Sequence, residues 1–101
     1  MNLAQLKHNT KLQKLCRKED ITFLGLFGSY SRGEQKPDSD VDVLIEYRDI
    51  KSLFDLARIQ IELEKLLGKE VDLVVKRNIK PALKPYIFSD LIKIYEEECR
   101  S

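Results

Sequence analysis

The chain has almost no excess charge of either sign: 18 Lys and Arg stand against 17 Asp and Glu, a net charge of +1. Proteins that hold nucleic acid mainly by its phosphates are usually strongly basic, so no direct nucleic-acid binding is expected. Long hydrophobic runs are also lacking. None approaches a membrane span, and the opening residues Met1-Asn2-Leu3-Ala4-Gln5 carry no signal-peptide apolar region. A cytoplasmic protein with no membrane contact is therefore expected. There is one histidine, His8, and two cysteines, Cys16 and Cys99, with no zinc-like spacing among them. Free thiols in a reducing compartment are the expectation. Internal repeats and low-complexity linkers are absent too. At 101 residues, 43% of them hydrophobic, the expectation is one domain over residues 1–101, with a modest core and no room for an added substrate domain.

What the chain does have is concentrated between Phe23 and Ile45. An apolar run, Phe23 to Phe27, is interrupted only by Gly25 and ends abruptly at Gly28-Ser29. A polar turn with Arg32-Gly33 follows, then Pro37-Asp38-Ser39-Asp40-Val41-Asp42-Val43-Leu44-Ile45. On a strand, Asp40 and Asp42 project one way while Val41, Val43 and Ile45 project the other. Two acids on one face repel each other and resist burial, so such a pair calls for a cation. Oxygen ligands without His or Cys suit Mg²⁺ or Mn²⁺. Gly28, lacking Cβ, lets an anion approach the backbone, and a helix opening at Ser29 would aim N–H groups and a hydroxyl at a phosphate. The same residues also suit a plain glycine turn and a half-exposed strand with solvated aspartates.

The rest of the chain reads as alternating helices and strands. Residues 2 to about 19 pattern as a helix with Leu3, Leu6, Leu12, Leu15 and Cys16 on one stripe, weakened at Asn9 and Thr10. Lys7, Lys11, Lys14 and Lys18 line another face, either solvated or a dock for an acidic partner or RNA, and His8 reads as a surface residue. A strand is expected over Ile21 to Phe27, a short helix from Ser29 to about Gly33, and a strand from Asp38 to Tyr47. Ser52-Leu53-Phe54-Asp55 has the capping-box pattern and opens a helix that Gly68 closes. Glu70 to Lys76 is a strand carrying Asp72. A last helix is expected from Pro81 or Pro85 to about Glu98. The order gives an α/β (α+β) sheet of at least three strands with helices packed on it.

Gly28-Ser29, ten residues, then Asp40-x-Asp42 resembles the signature of the DNA polymerase beta-like nucleotidyltransferase superfamily. The fuller string, Phe-Gly-Ser-x-x-Arg-Gly with Ser-Asp-x-Asp, is similar to its smallest, MNT-type (minimal nucleotidyltransferase) branch. Ser31 departs from the alanine that many relatives carry. The resemblance spans at least residues 21 to 76 and implies the palm fold of that superfamily, a small mixed sheet with helices. It implies that Asp40 and Asp42 hold two Mg²⁺ ions on ATP, that Asp72 is the third catalytic and metal carboxylate, and that Gly28, Ser29, Arg32 and Ser39 bind the nucleotide. Arg32 either neutralises phosphate or ties the loop to Asp38 or Glu34. The resemblance further implies an antitoxin that transfers AMP from ATP to a tyrosine of a HEPN-type ribonuclease toxin. Two other readings stand beside it: an antitoxin that acts by covering its toxin, and a free-standing enzyme modifying a small molecule such as an aminoglycoside.

Overall fold

Asn9 divides the first helical stretch in two. Its side chain accepts from the Leu12 N–H at 3.1 Å while its backbone is extended (φ −73°, ψ 113°). An asparagine so placed satisfies one of the unpaired donors of a new helix and starts it. The single helix expected over residues 2–19 is therefore a short α1, Leu3–Lys7, and a longer α2, Thr10–Lys18. The computed structural model describes residues 3–28, 33, 40–48 and 51–97. The Ser29 helix turn and the Asp38–Ser39 start of the second strand lie outside them, as do Ser29, Arg32, Ser39 and Cys99.

Strand β1, Ile21–Phe27, follows α2, and β2 is Val41–Tyr47, so Asp40 stands just ahead of the strand. Helix α3, Leu53–Leu67, starts and stops as its ends dictate. Ser52 Oγ accepts from the Asp55 N–H at 3.1 Å and Asp55 Oδ2 accepts from the Ser52 N–H at 3.0 Å, a complete capping box. Gly68 takes the left-handed conformation (φ 68°) that ends helices. β3 is Val71–Val75.

Beyond β3 the expected long helix is replaced. Two 3₁₀ turns, Lys76–Asn78 and Pro81–Leu83, lead to a short helix α4, Lys84–Asp90, and then to a fourth strand β4, Ile92–Glu96. Ile92, Lys93, Ile94, Tyr95 and Glu96 are rich in β-formers. Pairing them along the open edge of β1 outweighs the helical spacing of Ile87, Leu91 and Ile94.

The sheet order is β3-β2-β1-β4, with β2 and β3 parallel and the other pairs antiparallel. One face meets α2 and α3: Leu24, Leu26, Val43 and Ile45 share a buried cluster with Leu12, Leu15, Cys16, Ile59 and Leu63. Burying one Leu or Ile side chain in this way contributes roughly 1.5–3 kcal/mol. Glu19, at the end of α2, is buried yet ionically tied to α3, because Arg58 donates to its two carboxylate oxygens at 2.9 and 3.0 Å. Cys16 is a free thiol within the core, and burial pushes its pKa up to about 12. No helix among the described residues is long and apolar enough to cross a membrane.

Candidate active site

The register of three strands assembles one end of the sheet. Phe27 is opposite Asp42 in the antiparallel β1–β2 pair, so the chain leaves β1 at Gly28 directly beside Asp42. Asp72 is opposite Asp42 in the parallel β2–β3 pair. The Val41 N–H donates to the Glu70 carbonyl at 2.9 Å, which ties the start of β2, with Asp40 before it, to the start of β3. Asp42 is half-buried, whereas Asp40 and Asp72 are exposed.

Gly28 has a left-handed backbone (φ 74°), and a Cβ built on it would lie 2.3 Å from Asp42 Oδ2. The absent side chain thus makes room for the Asp42 carboxylate itself. Sequence reasoning assigned that space to an incoming anion. In the fold, the glycine turn and the acidic strand lie directly against each other.

Three carboxylates without sulfur or imidazole make a donor set for a hard cation such as Mg²⁺. Adjacent strands run about 4.8 Å apart, so the Asp42–Asp72 pairing suits ligands that share one ion. Among the described residues, no three acidic, His or Cys side chains are grouped closely enough to hold an ion as placed. The fold brings Asp42 and Asp72 into register and leaves Asp40 one residue ahead of the strand.

The same side of the sheet continues past Asp42 to Leu44 and Glu46, and there α4 crosses it. A cavity of about 340 Å³ opens between them, with Phe23 and Leu44 beneath, Phe88 and Leu91 as one wall, and the charged Glu46, Lys76 and Glu96 completing its lining. Leu91 can pack there because of Gly25, where a Cβ would stand 2.7 Å from Leu91 Cδ1. Lys76 Nζ lies 3.4 Å from Glu46 Oε1 and 5.8 Å from the centre of the Phe88 ring. Sequence reasoning missed this wall, since it read residues 81–98 as one helix. Gly25 within an apolar run was the available signal.

A mixed sheet with a glycine turn at its acidic end defines a class that comparison makes explicit. The model of the nucleotidyltransferase domain matches residues 9–96, and the chain belongs to that family, in its minimal, MNT-type branch. A Methanocaldococcus jannaschii protein, a candidate protein adenylyltransferase by name, is 40% identical over 94 residues, covering 93% of this chain and 99% of that one. The protein adenylyltransferase MntA of Thermococcus cleftensis is 41% identical over 82 residues, covering 81% and 83%. Among solved structures, a toxin–antitoxin crystal structure with AMP-PNP superposes with a TM-score of 0.75 at 25% identity, over 97% of this chain and 76% of that one.

Proposed function

We propose that this protein is a Mg²⁺-dependent antitoxin that transfers AMP from ATP to a tyrosine of a HEPN-type toxin. The observation that carries the reading is the meeting of Gly28, Asp42 and Asp72 at one end of three strands. The naming of relatives as protein adenylyltransferases and the AMP-PNP-bound toxin–antitoxin neighbour support it.

Asp40, Asp42 and Asp72 would hold Mg²⁺, which when bound supplies charge neutralisation along the triphosphate. Gly28, Ser29 and Arg32 would hold the β- and γ-phosphates, and Ser39 would complete the nucleotide contacts. Asp42, half-buried against Gly28, would align the α-phosphate, and Asp72, exposed beside it on the edge strand β3, would serve the acceptor. The tyrosine oxygen attacks the α-phosphorus, the bond to the β-phosphate oxygen breaks, and pyrophosphate leaves. The tyrosine proton passes to Asp72 and on to solvent. What the chain supplies is chiefly alignment of acceptor and phosphorus.

The test is to incubate the chain with its HEPN-type partner, Mg²⁺ and ATP, and to weigh the intact partner by mass spectrometry. The expected result is a gain of whole AMP units, on a tyrosine, that Asp72→Asn abolishes while the two proteins still associate. A partner that is fully neutralised without gaining mass would overturn the proposal in favour of an antitoxin that only covers its toxin.

A further inference from the structure

The cavity beneath α4 lies on the side of the sheet that carries Asp42 and Asp72. Leu44, at its base, is the next residue after Asp42 on that side of β2, about 7 Å along the strand. One ribose separates the α-phosphate of a nucleotide from its base, a span on the order of that ~7 Å step. Its lining suits an aromatic ligand with a polar edge. Phe23, Leu44 and Leu91 are apolar, and Phe88, 37% exposed, presents part of its ring. Of the three charged lining residues, Glu96 is paired with Lys93 at 3.4 Å, while Glu46 and Lys76 offer an acceptor and donors side by side, as the ring nitrogens and exocyclic group of a base require.

We propose that this cavity receives the nucleobase of the triphosphate, stacked on Phe88 and addressed at its edge by Glu46 and Lys76. The inference rests on the nucleotidyl-transfer reading above and extends it to residues outside the signature. It makes α4, and not only the glycine turn, part of the nucleotide site.

Calorimetry with Mg²⁺ and either ATP or inorganic triphosphate separates the base from the phosphates. Wild type is expected to bind ATP more tightly than inorganic triphosphate. Phe88→Ala is expected to weaken ATP about tenfold, the scale of one base–aromatic stack, and to leave inorganic triphosphate unchanged. The chain has no tryptophan, so Phe88→Trp introduces a single fluorophore at the cavity. ATP should quench it, and inorganic triphosphate should not. Equal binding of ATP and inorganic triphosphate by wild type would overturn the base site while leaving the phosphate site standing. ATP binding unaffected by Phe88→Ala, with AMP transfer lost, would assign the cavity to the acceptor and overturn the proposal. Failure of wild type to bind either ligand would bring down the nucleotidyl-transfer reading and this proposal with it.

Discussion

Gly28 and Asp42 are so close that a single added methyl on the glycine would lie 2.3 Å from the carboxylate oxygen. Gly28→Ala must therefore displace Asp42 as well as hold alanine at φ 74°. The left-handed backbone alone costs roughly 1–2 kcal/mol, a loss that denaturant unfolding will register. Mg-ATP affinity is expected to fall with it, by about tenfold for each 1.4 kcal/mol lost at the site. Unchanged calorimetric affinity in Gly28→Ala would mean that the Asp42 position is immaterial to the nucleotide.

Asp40→Asn and Asp42→Asn each remove one of several like charges at the acidic end of the sheet. Without metal, their melting temperatures are expected to match or slightly exceed wild type, since repulsion is relieved. With Mg²⁺, the stabilisation that ATP gives wild type should disappear. Thermal melts with and without Mg-ATP read both effects, and a full ATP-induced shift in the double variant would contradict the metal assignment.

The capping box of α3 makes stability depend on pH in the acid range. The Ser52 backbone N–H, then its hydroxyl and Arg58, hold the Asp55 carboxyl below the usual carboxylate range. A depressed folded-state pKa means the stabilisation is present above the unfolded value of about 3.9 and is lost as pH falls toward the folded one. Ser52→Ala is expected to cost about 1 kcal/mol at neutral pH. Urea unfolding from pH 7 downward should show a shallower loss below pH 4 in Asp55→Asn than in wild type.

Core and surface apolar residues should separate cleanly. Leu63 is 1% exposed within the helix–sheet cluster, and Leu63→Ala is expected to cost about 2–5 kcal/mol. Phe54, 86% exposed on the same helix, should change stability by no more than about 0.5 kcal/mol when truncated to alanine. Urea midpoints at constant slope decide it.

The Cys16 thiol, with its pKa pushed up to about 12 by burial, stays protonated and shielded in the native state. Iodoacetamide at pH 8 is expected to leave Cys16 unmodified until denaturant is added, as peptide mapping will show. Rapid native-state alkylation would place the residue outside the core.

Much of this fold could be read from local chemistry. Ser52, Asp55 and Gly68 mark both ends of α3 because caps act over three or four residues and leave a local imprint. The alternation from Val41 to Ile45 likewise defines the buried side of β2. Asn9 was visible as a weak point, and its cap decides that the helix breaks there. β4 was not legible, since Ile87, Leu91 and Ile94 fit a helix as well as Ile92 and Ile94 fit a strand. Only the unpaired edge of β1, a tertiary fact, settles the choice. The spacing of the signature pointed to Gly28, Asp40 and Asp42, but the register that places Asp72 beside Asp42 depends on how β2 and β3 pair. The cavity was invisible for the same reason: it exists only once α4 lies across the sheet.

β4 also guards the protein against its own β1. The Glu97 N–H donates to the Thr22 carbonyl at 2.8 Å and the Glu97 carboxylate pairs with Arg48, so the strand is fastened at its far end. Trimming the chain at residue 91 would turn β1 from an interior strand into an edge, exposing a row of unpaired amides along the Phe23–Phe27 apolar run. Open edges of that composition recruit further strands from neighbouring molecules. A shortened form designed to isolate the nucleotide site would be expected to precipitate, even though Asp40, Asp42 and Asp72 are all retained.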